Sequence, residues 1–403
     1  MNVLRDILVP VSLLQNPQRF GGTRDGDCLR GDLIVGTCGV SGLRNASPSA
    51  SPRILMPTLI EAHCHLDKCH SISRLDAVGG DLAAAIRAQM KDKENWSTDD
   101  LRDRMTRGLN ELVASGCAVV RSHIDWSDTA EPPLAWHVLH ELAAEQENIE
   151  IEAAALTSID QMADADFCTA VAKTVAAHKS AVLGGFILFH GPHHIEAGLR
   201  NIFAAADAHG FALDFHVDEG LGDWNGLEKI CDAALDMGFE GPVLCGHAVS
   251  LMDRGESDFA RISDKILRAG IHICALPTTN LYLQGRGPGT PDRRGITRLR
   301  ELYAAEIPVV VASDNVADAF CPTGQHDPRA ALHLASLTAH LDPPMGRWLP
   351  AITTDAATAL GRGPWHIEIQ PLERLRLISA PSTADLVSGR NPLTHLTRER
   401  SKS

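Results

Sequence analysis

The 403-residue chain offers no uninterrupted apolar run of about 18 residues, the length a membrane span needs, so no spanning helix and no membrane partner is expected. None of its ten cysteines forms a Cys-x-x-Cys pair. This argues against a disulfide framework or a structural zinc knuckle and for reduced, mostly buried thiols. Long basic runs are also missing: 37 Lys plus Arg stand against 51 Asp plus Glu, a formal net charge of −14. Backbone recognition of nucleic acid needs a positive footprint, so nucleic acid is not an expected partner. The opening "MNVLRDILVPVSLL" carries Arg5 and Asp6 inside its apolar run and lacks a small-residue cleavage site. A signal peptide is therefore not expected, and a cytoplasmic location is. The Gly-rich run "QGRGPGTPDRRGITR" lacks the lysine of a phosphate loop and opens no dinucleotide-binding unit. It reads as a mobile loop able to cover a site.

What is present is alternation. The hydrophobic fraction is 44%, enough for a large core. From residue 54 onward, short apolar runs rich in Val and Ile alternate with longer amphipathic segments. The runs are "ILMPTLIEAHCH", "AVVRSHIDW" (118–126), "IEIEAAALTS" (149–158), "AVLGGFILF" (181–189), "ALDFHVDEG" (212–220), "PVLCGHAV" (242–249), "IHICALPTTN" (271–280) and "VVVASDNV" (309–316). Segments 100–116 and 297–306 have helical period, the first stopped by Gly116. Eight such alternations predict an α/β fold, a (β/α)8 TIM-type barrel. Residues 1–55 and the last residues read as strands and turns that pair into a small flanking β-domain. The expected division is 1–55 for its first part, 56–350 for the barrel, and 351–403 for the last barrel helix, the second part of the β-domain and a mobile tail. Homo-oligomers are the usual expectation for such barrels.

Polar residues gather at the carboxyl ends of these strands, where loops of a parallel barrel build the active site. They include His63 and His65, His123, Ser158, His216, His247, Asn280 and Asp314. One His-x-His means little in a chain with 19 His, since roughly one is expected by chance. Histidines at four separate strand ends plus an aspartate mean more. A hydrolytic metal site needs three or four N and O ligands with one position open for water. His63, His65, His216 and Asp314 supply that set for one divalent metal ion. Glu219, just past the fifth strand, suits the proton carrier such a site also requires. His247 reads either as a further ligand or as a partner of a developing oxyanion. His123 reads as structural or supporting, and His190, His193 and His194 as solvated. Cys64 points the other way, into the barrel wall.

The segments "EAHCHLDK", "VRSHIDWSD", "FHVDE", "GHAV", "NLYLQGRGPGTPDRRGITRLREL" and "ASDNVADAF", in that order, resemble the cytosine deaminase branch of the amidohydrolase superfamily over about residues 55–345. Its most specific part is "LQGR" followed by "RRGITR". The resemblance implies a (β/α)8 barrel with a flanking β-domain and one zinc or iron ion on His63, His65, His216 and Asp314. It implies that Glu219 shuttles a proton to a ring nitrogen, that His247 steadies the attacking hydroxide, and that Asp314 passes the water's proton towards the departing amine. Metal-activated hydroxide would add to an amino-bearing carbon of a small nitrogen heterocycle, and ammonia would leave. Lys68 need not be a carboxylated ligand. A fold built on Pro-Cys-x-x-Cys zinc ligands is excluded by their absence.

The chain departs from that pattern where the substrate ring is read. Ser158 stands in place of a glutamine at the end of strand three, with Gln161 out of step; Asn315 follows the metal Asp, and Phe320 replaces a tryptophan. Ser158, Gln284, Asn315 and Phe320 are therefore the expected substrate contacts for a cytosine-like or related pyrimidine or purine-like ring. Two alternatives follow: hydrolysis of an N-substituted amino heterocycle or cyclic amide, and a metal-binding barrel without turnover.

Overall fold

The computed structural model describes residues 2–45, 49, 51–76, 78–187, 192–389 and 391–397. Five strands come first: β1 (Asn2–Pro10), β2 (Thr23–Asp25), β3 (Cys28–Val35), β4 (Val40–Arg44) and β5 (Arg53–Pro57). Eight follow, separated by helices: β6 (Leu59–Cys64), β7 (Cys117–Asp125), β8 (Glu150–Ser158), β9 (Ala181–Ile187), β10 (Leu213–Val217), β11 (Val243–His247), β12 (Ile271–Ala275) and β13 (Val309–Val311). The last two are β14 (Leu375–Ile378) and β15 (Leu393–His395).

Strands β6 to β13 pair in sequence order as one parallel sheet. A parallel bridge between Cys64 and Asp314, with Asp314 N donating to His63 O at 3.0 Å, joins the two edges and closes the barrel. Strands buried on both faces read as continuous apolar runs, which is why these eight are visible in the sequence. The helices start and stop as their ends dictate. Ser97 caps Thr98–Ser115 by accepting from Asp100 N at 3.2 Å, and Gly116 ends it in the left-handed region at φ 95°.

A second sheet has the order β15-β14-β5-β1-β3-β2, with β4 paired to β3, so the two chain ends do build one flanking β-layer. Two expected strands need correction. "ILMPTLIEAHCH" is two strands in two sheets, because Pro57 has no N–H to continue a ladder and Thr58 N turns to Arg374 O at 2.8 Å. "IHICALPTTN" stops at Ala275, where Pro277 opens the helix Pro277–Leu283. Among the described residues, no helix is long and apolar enough to cross a membrane.

The barrel interior is layered, as alternation along each strand requires. Val119, Leu244, Cys274 and Val310 form an apolar floor with Ala357, Leu360 and Trp365. Above it Arg121 is buried, its Nε donating to Glu152 at 2.9 Å and a terminal nitrogen to Asp214 at 2.9 Å. Two residues further along the strands lie His123 and His216, and with them the candidate site.

Candidate active site

β6 does not run straight to the site. Its pairing with β7 shifts between Glu61 and Cys64, a bulge of the kind that re-aims a side chain. The buried Glu61 carboxylate accepts from His63 N at 3.3 Å and Ser313 N at 3.1 Å, so it clamps the ends of β6 and β13 together. Burial pushes its carboxyl up to about 8.

The structure brings the expected metal ligands together. His63 Nε2 and His65 Nε2 each lie 3.1 Å from His216 Nε2. Asp314 Oδ1 is 3.3 Å from His65 Nε2 and 3.7 Å from His63 Nε2. Donors around a tetrahedral zinc ion, at about 2.0–2.1 Å each, stand about 3.3 Å apart, so these spacings fit one shared ion. Burial holds His63 and His216 well below the usual imidazole value and His65 at about 4. All three are neutral at pH 7, with lone pairs free to bind a cation. Burial alone would raise the Asp314 carboxyl, but its contact with His65 and the field of His247 hold it below its ordinary value. Neither Asp314 oxygen makes an aligned hydrogen bond among the described residues. A buried carboxylate left in that state is a strong indication of a missing cation.

His123 comes closer than the sequence suggested. Its ring centroid is 4.0 Å from that of His63, and it groups with His63, His65 and His216 as a potential donor. His63, His247 and Asp314 form an overlapping second group. His123 Nε2 also lies 3.0 Å from Asp214 Oδ1, a carboxylate fixed in turn by Arg121.

Glu219 and His247 face each other across the mouth of this cluster, with His247 Nε2 3.6 Å from Glu219 Oε2. His247 Nδ1 lies 3.0 Å from Asn280 Oδ1, which fixes the ring. Burial raises the Glu219 carboxyl to about 7, partly offset by His247. His247 and Asp314 both sit at positive φ, 70° and 60°, sparsely populated conformations that surrounding structure must enforce.

These groups open into a cavity of about 460 Å³, lined by His65, His216, Glu219, His247 and Asp314 together with Ser158, Asn315 and Phe320. Gln284, expected as a substrate contact, is not part of this lining; its amide donates instead to the main-chain carbonyl of Glu219. Ser158 caps the short helix Ile159–Met162, and its N–H is held by Gln161 Oε1 at 3.1 Å. Asn315 Nδ2 donates to Asp318 at 2.7 Å. The loop "QGRGPGTPDRRGITR" does not cover the cavity; Arg286 and Thr297 tether it to Gly79 O and Ala248 O, at 2.9 Å each. The cover is the helix Leu82–Asp92, which contributes Leu82, Ile86, Gln89 and Met90. Lys68 is held by Asp125 at 2.8 Å, as befits a salt-bridged lysine rather than a metal-binding carbamate. Of the three loop histidines, His194 is exposed; His190 and the side chain of His193 lie outside the described residues.

Nothing in the local sequence singles out Gln89. It is 2% exposed, lines the cavity, and neither end of its amide has a hydrogen-bond partner among the described residues. A polar residue on the inner face of an amphipathic helix carries no local signal of its function.

A metal-dependent hydrolase fold with this donor set has a matching family. The amidohydrolase family model covers residues 75–368, and the chain belongs to that family of hydrolases. It is 35% identical to the pterin deaminase of Rhizobium rhizogenes over 355 residues, 85% of this chain and 80% of that protein. In fold it is similar to the 5-methylcytosine deaminase of Klebsiella pneumoniae liganded with 5-fluorocytosine. The TM-score is 0.82 at 20% identity, covering 97% of this chain and 94% of that one. It also resembles the N-isopropylammelide isopropylaminohydrolase of Burkholderia multivorans, with TM-score 0.73 at 19% identity over 98% and 97% of the two chains.

Proposed function

We propose that this chain is a metal-dependent deaminase of a pterin-class heterocycle, a fused ring bearing an amino group on a carbon between two ring nitrogens. The observation that carries the reaction class is one cavity in which a proton carrier, Glu219, faces a preformed donor set of His63, His65, His216 and Asp314. Support for the ring comes from the relative at 35% identity and from Gln89, whose free donor and acceptor match the N–H and C=O of a lactam edge.

A divalent ion, zinc or iron, supplies Lewis acidity and brings the pKa of water into the neutral range. The chain's residues do the rest. Glu219, ionised, takes the water's proton and delivers it to the ring nitrogen beside the amino-bearing carbon. His247, its ring fixed by Asn280, faces the oxygen that adds to that carbon. Asp314 passes a second proton to the amino group, so that water and the amine become a ring carbonyl and ammonia. The walls exclude bulk water: Trp126, Leu156, Phe186 and Phe320 give the ring apolar surfaces. Ser158 and Asn315, which suggested N-substituted substrates, are engaged in local hydrogen bonds, so that reading gains no support here.

The test is ammonia release from pterin, cytosine and isocytosine by the metal-loaded protein, each repeated after chelation. Chelator-sensitive ammonia from pterin above the monocycles is the expected result. Silence on pterin with metal bound would sink the substrate assignment.

A further inference from the structure

A second group of metal-competent side chains lies outside the cavity. Cys69 Sγ and ring nitrogens of His70 and His326 all fall within 4.8 Å of one another. His70 Nε2 is 3.2 Å from Glu111 Oε2, and Glu111 is the one of the four whose side chain reaches solvent. His326 is 3% exposed, and neither of its ring nitrogens has a hydrogen-bond partner among the described residues. A buried imidazole without partners on either nitrogen is rare in a finished structure. None of these residues lines the substrate cavity.

We propose that Cys69, His70 and His326, with Glu111 as fourth ligand, form a second metal site of the structural zinc kind. One thiolate, two imidazoles and a carboxylate suit zinc, and a tetrahedral set closes without an open position for water. Adjacent sulfur and nitrogen ligands of zinc stand about 3.5 Å apart, so a shift well under the span of the cluster brings Cys69, His70 and His326 into place, and Glu111, already 3.2 Å from His70 Nε2, approaches from the solvent side.

The space for it is made by a glycine in a helix. A Cβ on Gly108, within Thr98–Ser115, would lie 3.0 Å from His326 Nε2 and 3.3 Å from Cys69 Sγ. Glycine inside a helix is destabilising relative to alanine, so its presence there needs a local reason. The charges balance as well. Thiolate and Glu111 carboxylate carry the two negative charges a divalent ion needs, and Arg104, which donates to Cys69 O at 3.0 Å, has its own partner in Asp100; Arg107 shares Glu111 with the site. At present Cys69 is a protonated thiol directed at Leu66 O and Arg104 O, 3.2 and 3.4 Å away; metal binding would release that proton.

The position gives the site a purpose. Cys69 N bonds His65 O at 3.1 Å and His70 N bonds Val316 O at 3.1 Å. The segments that follow β6 and β13 carry the catalytic-site residues His65 and Asp314; a metal joining Cys69 and His70 to His326 would pin the two segments to each other and, through Glu111, to the helix Thr98–Ser115.

Cobalt distinguishes the two sites. The catalytic set has only nitrogen and oxygen donors, so it cannot give the thiolate-to-cobalt charge-transfer absorption. The exposed Cys38 is first replaced by serine. The Cys38→Ser protein is then loaded with Co(II) and its metal content and spectrum measured. Two ions per chain with a sulfur-to-cobalt band are expected, and Cys69→Ala should lose the band and one ion. Gly108→Ala, should Cys69→Ala fail to fold, is expected to weaken the second ion at least tenfold. One ion per chain with no sulfur-to-cobalt band in the Cys38→Ser protein overturns the proposal.

Discussion

The amide of Gln284 donates a hydrogen bond to the main-chain carbonyl of Glu219. The residue that the sequence offers as a substrate contact is instead a brace for the proton carrier. Two substitutions separate these roles. Glu219→Gln removes the titrating group and keeps the shape, so turnover should fall by at least about 10²-fold, the usual range for a general acid–base, with metal content unchanged. Gln284→Met leaves a buried carbonyl without its donor, a loss of about 1–3 kcal/mol, and should reduce kcat more than it raises KM. Undiminished ammonia release by the Glu219→Gln protein would remove Glu219 from the mechanism.

Gln89 makes a different prediction, because its amide has no partner among the described residues. Gln89→Leu removes a buried polar group that lacks partners, so thermal stability should hold or rise. The substrate's lactam edge would then meet a hydrocarbon wall, and kcat/KM for pterin should fall about tenfold or more. Steady-state kinetics beside a melting curve checks both halves. A variant that is destabilised but kinetically normal would make Gln89 a packing residue.

How far the sequence reaches is clear from particular residues. Burial on both faces makes each barrel strand a continuous apolar run, and the candidate ligands sit where those runs end, so the convergence of His63, His65, His216 and Asp314 is legible in the sequence. The break at Pro57 and Thr58 is not, because both halves of that run are equally apolar. Neither is the bulge between Glu61 and Cys64, which depends on what β13 offers across the barrel seam. Gln89 and the Cys69–His70–His326 group depend on tertiary proximity alone, as does the closeness of His123 to the donor set. Sequence spacing holds no record of it.

The pH profile follows from Glu219. Its carboxyl sits at about 7 because burial disfavours the charged form; His247 and Lys68 oppose this, and Asp314 adds to it. The base form is the one that accepts the water's proton, so activity should be full above that value and decline as pH falls through it. A cation in the donor set stabilises the carboxylate and moves the limb down, so the acid limb of kcat/KM is expected at or below about 7. The residual rate of Glu219→Gln should lack that limb. An acid limb that the Glu219→Gln protein retains unchanged would place the proton carrier elsewhere.

Gly246 tests the geometry of the donor set without touching a ligand. It lies on β11 beside His63, and a Cβ there would stand 2.8 Å from His63 Cε1 and 3.1 Å from Nδ1. The His63 ring is fully buried, its Nε2 3.1 Å from His216 Nε2, so the added methyl displaces the ring from the other donors rather than being absorbed. Overpacking of this kind costs about 1–3 kcal/mol, well within what a barrel of this size survives. Gly246→Ala should therefore fold, bind the catalytic ion at least about tenfold more weakly, and lose activity that excess metal partly restores. Metal titration of the apo protein, read beside circular dichroism, checks this. Wild-type affinity in the variant would mean that His63 is not held where the metal needs it, and that His123, 4.0 Å away between ring centroids, takes its place.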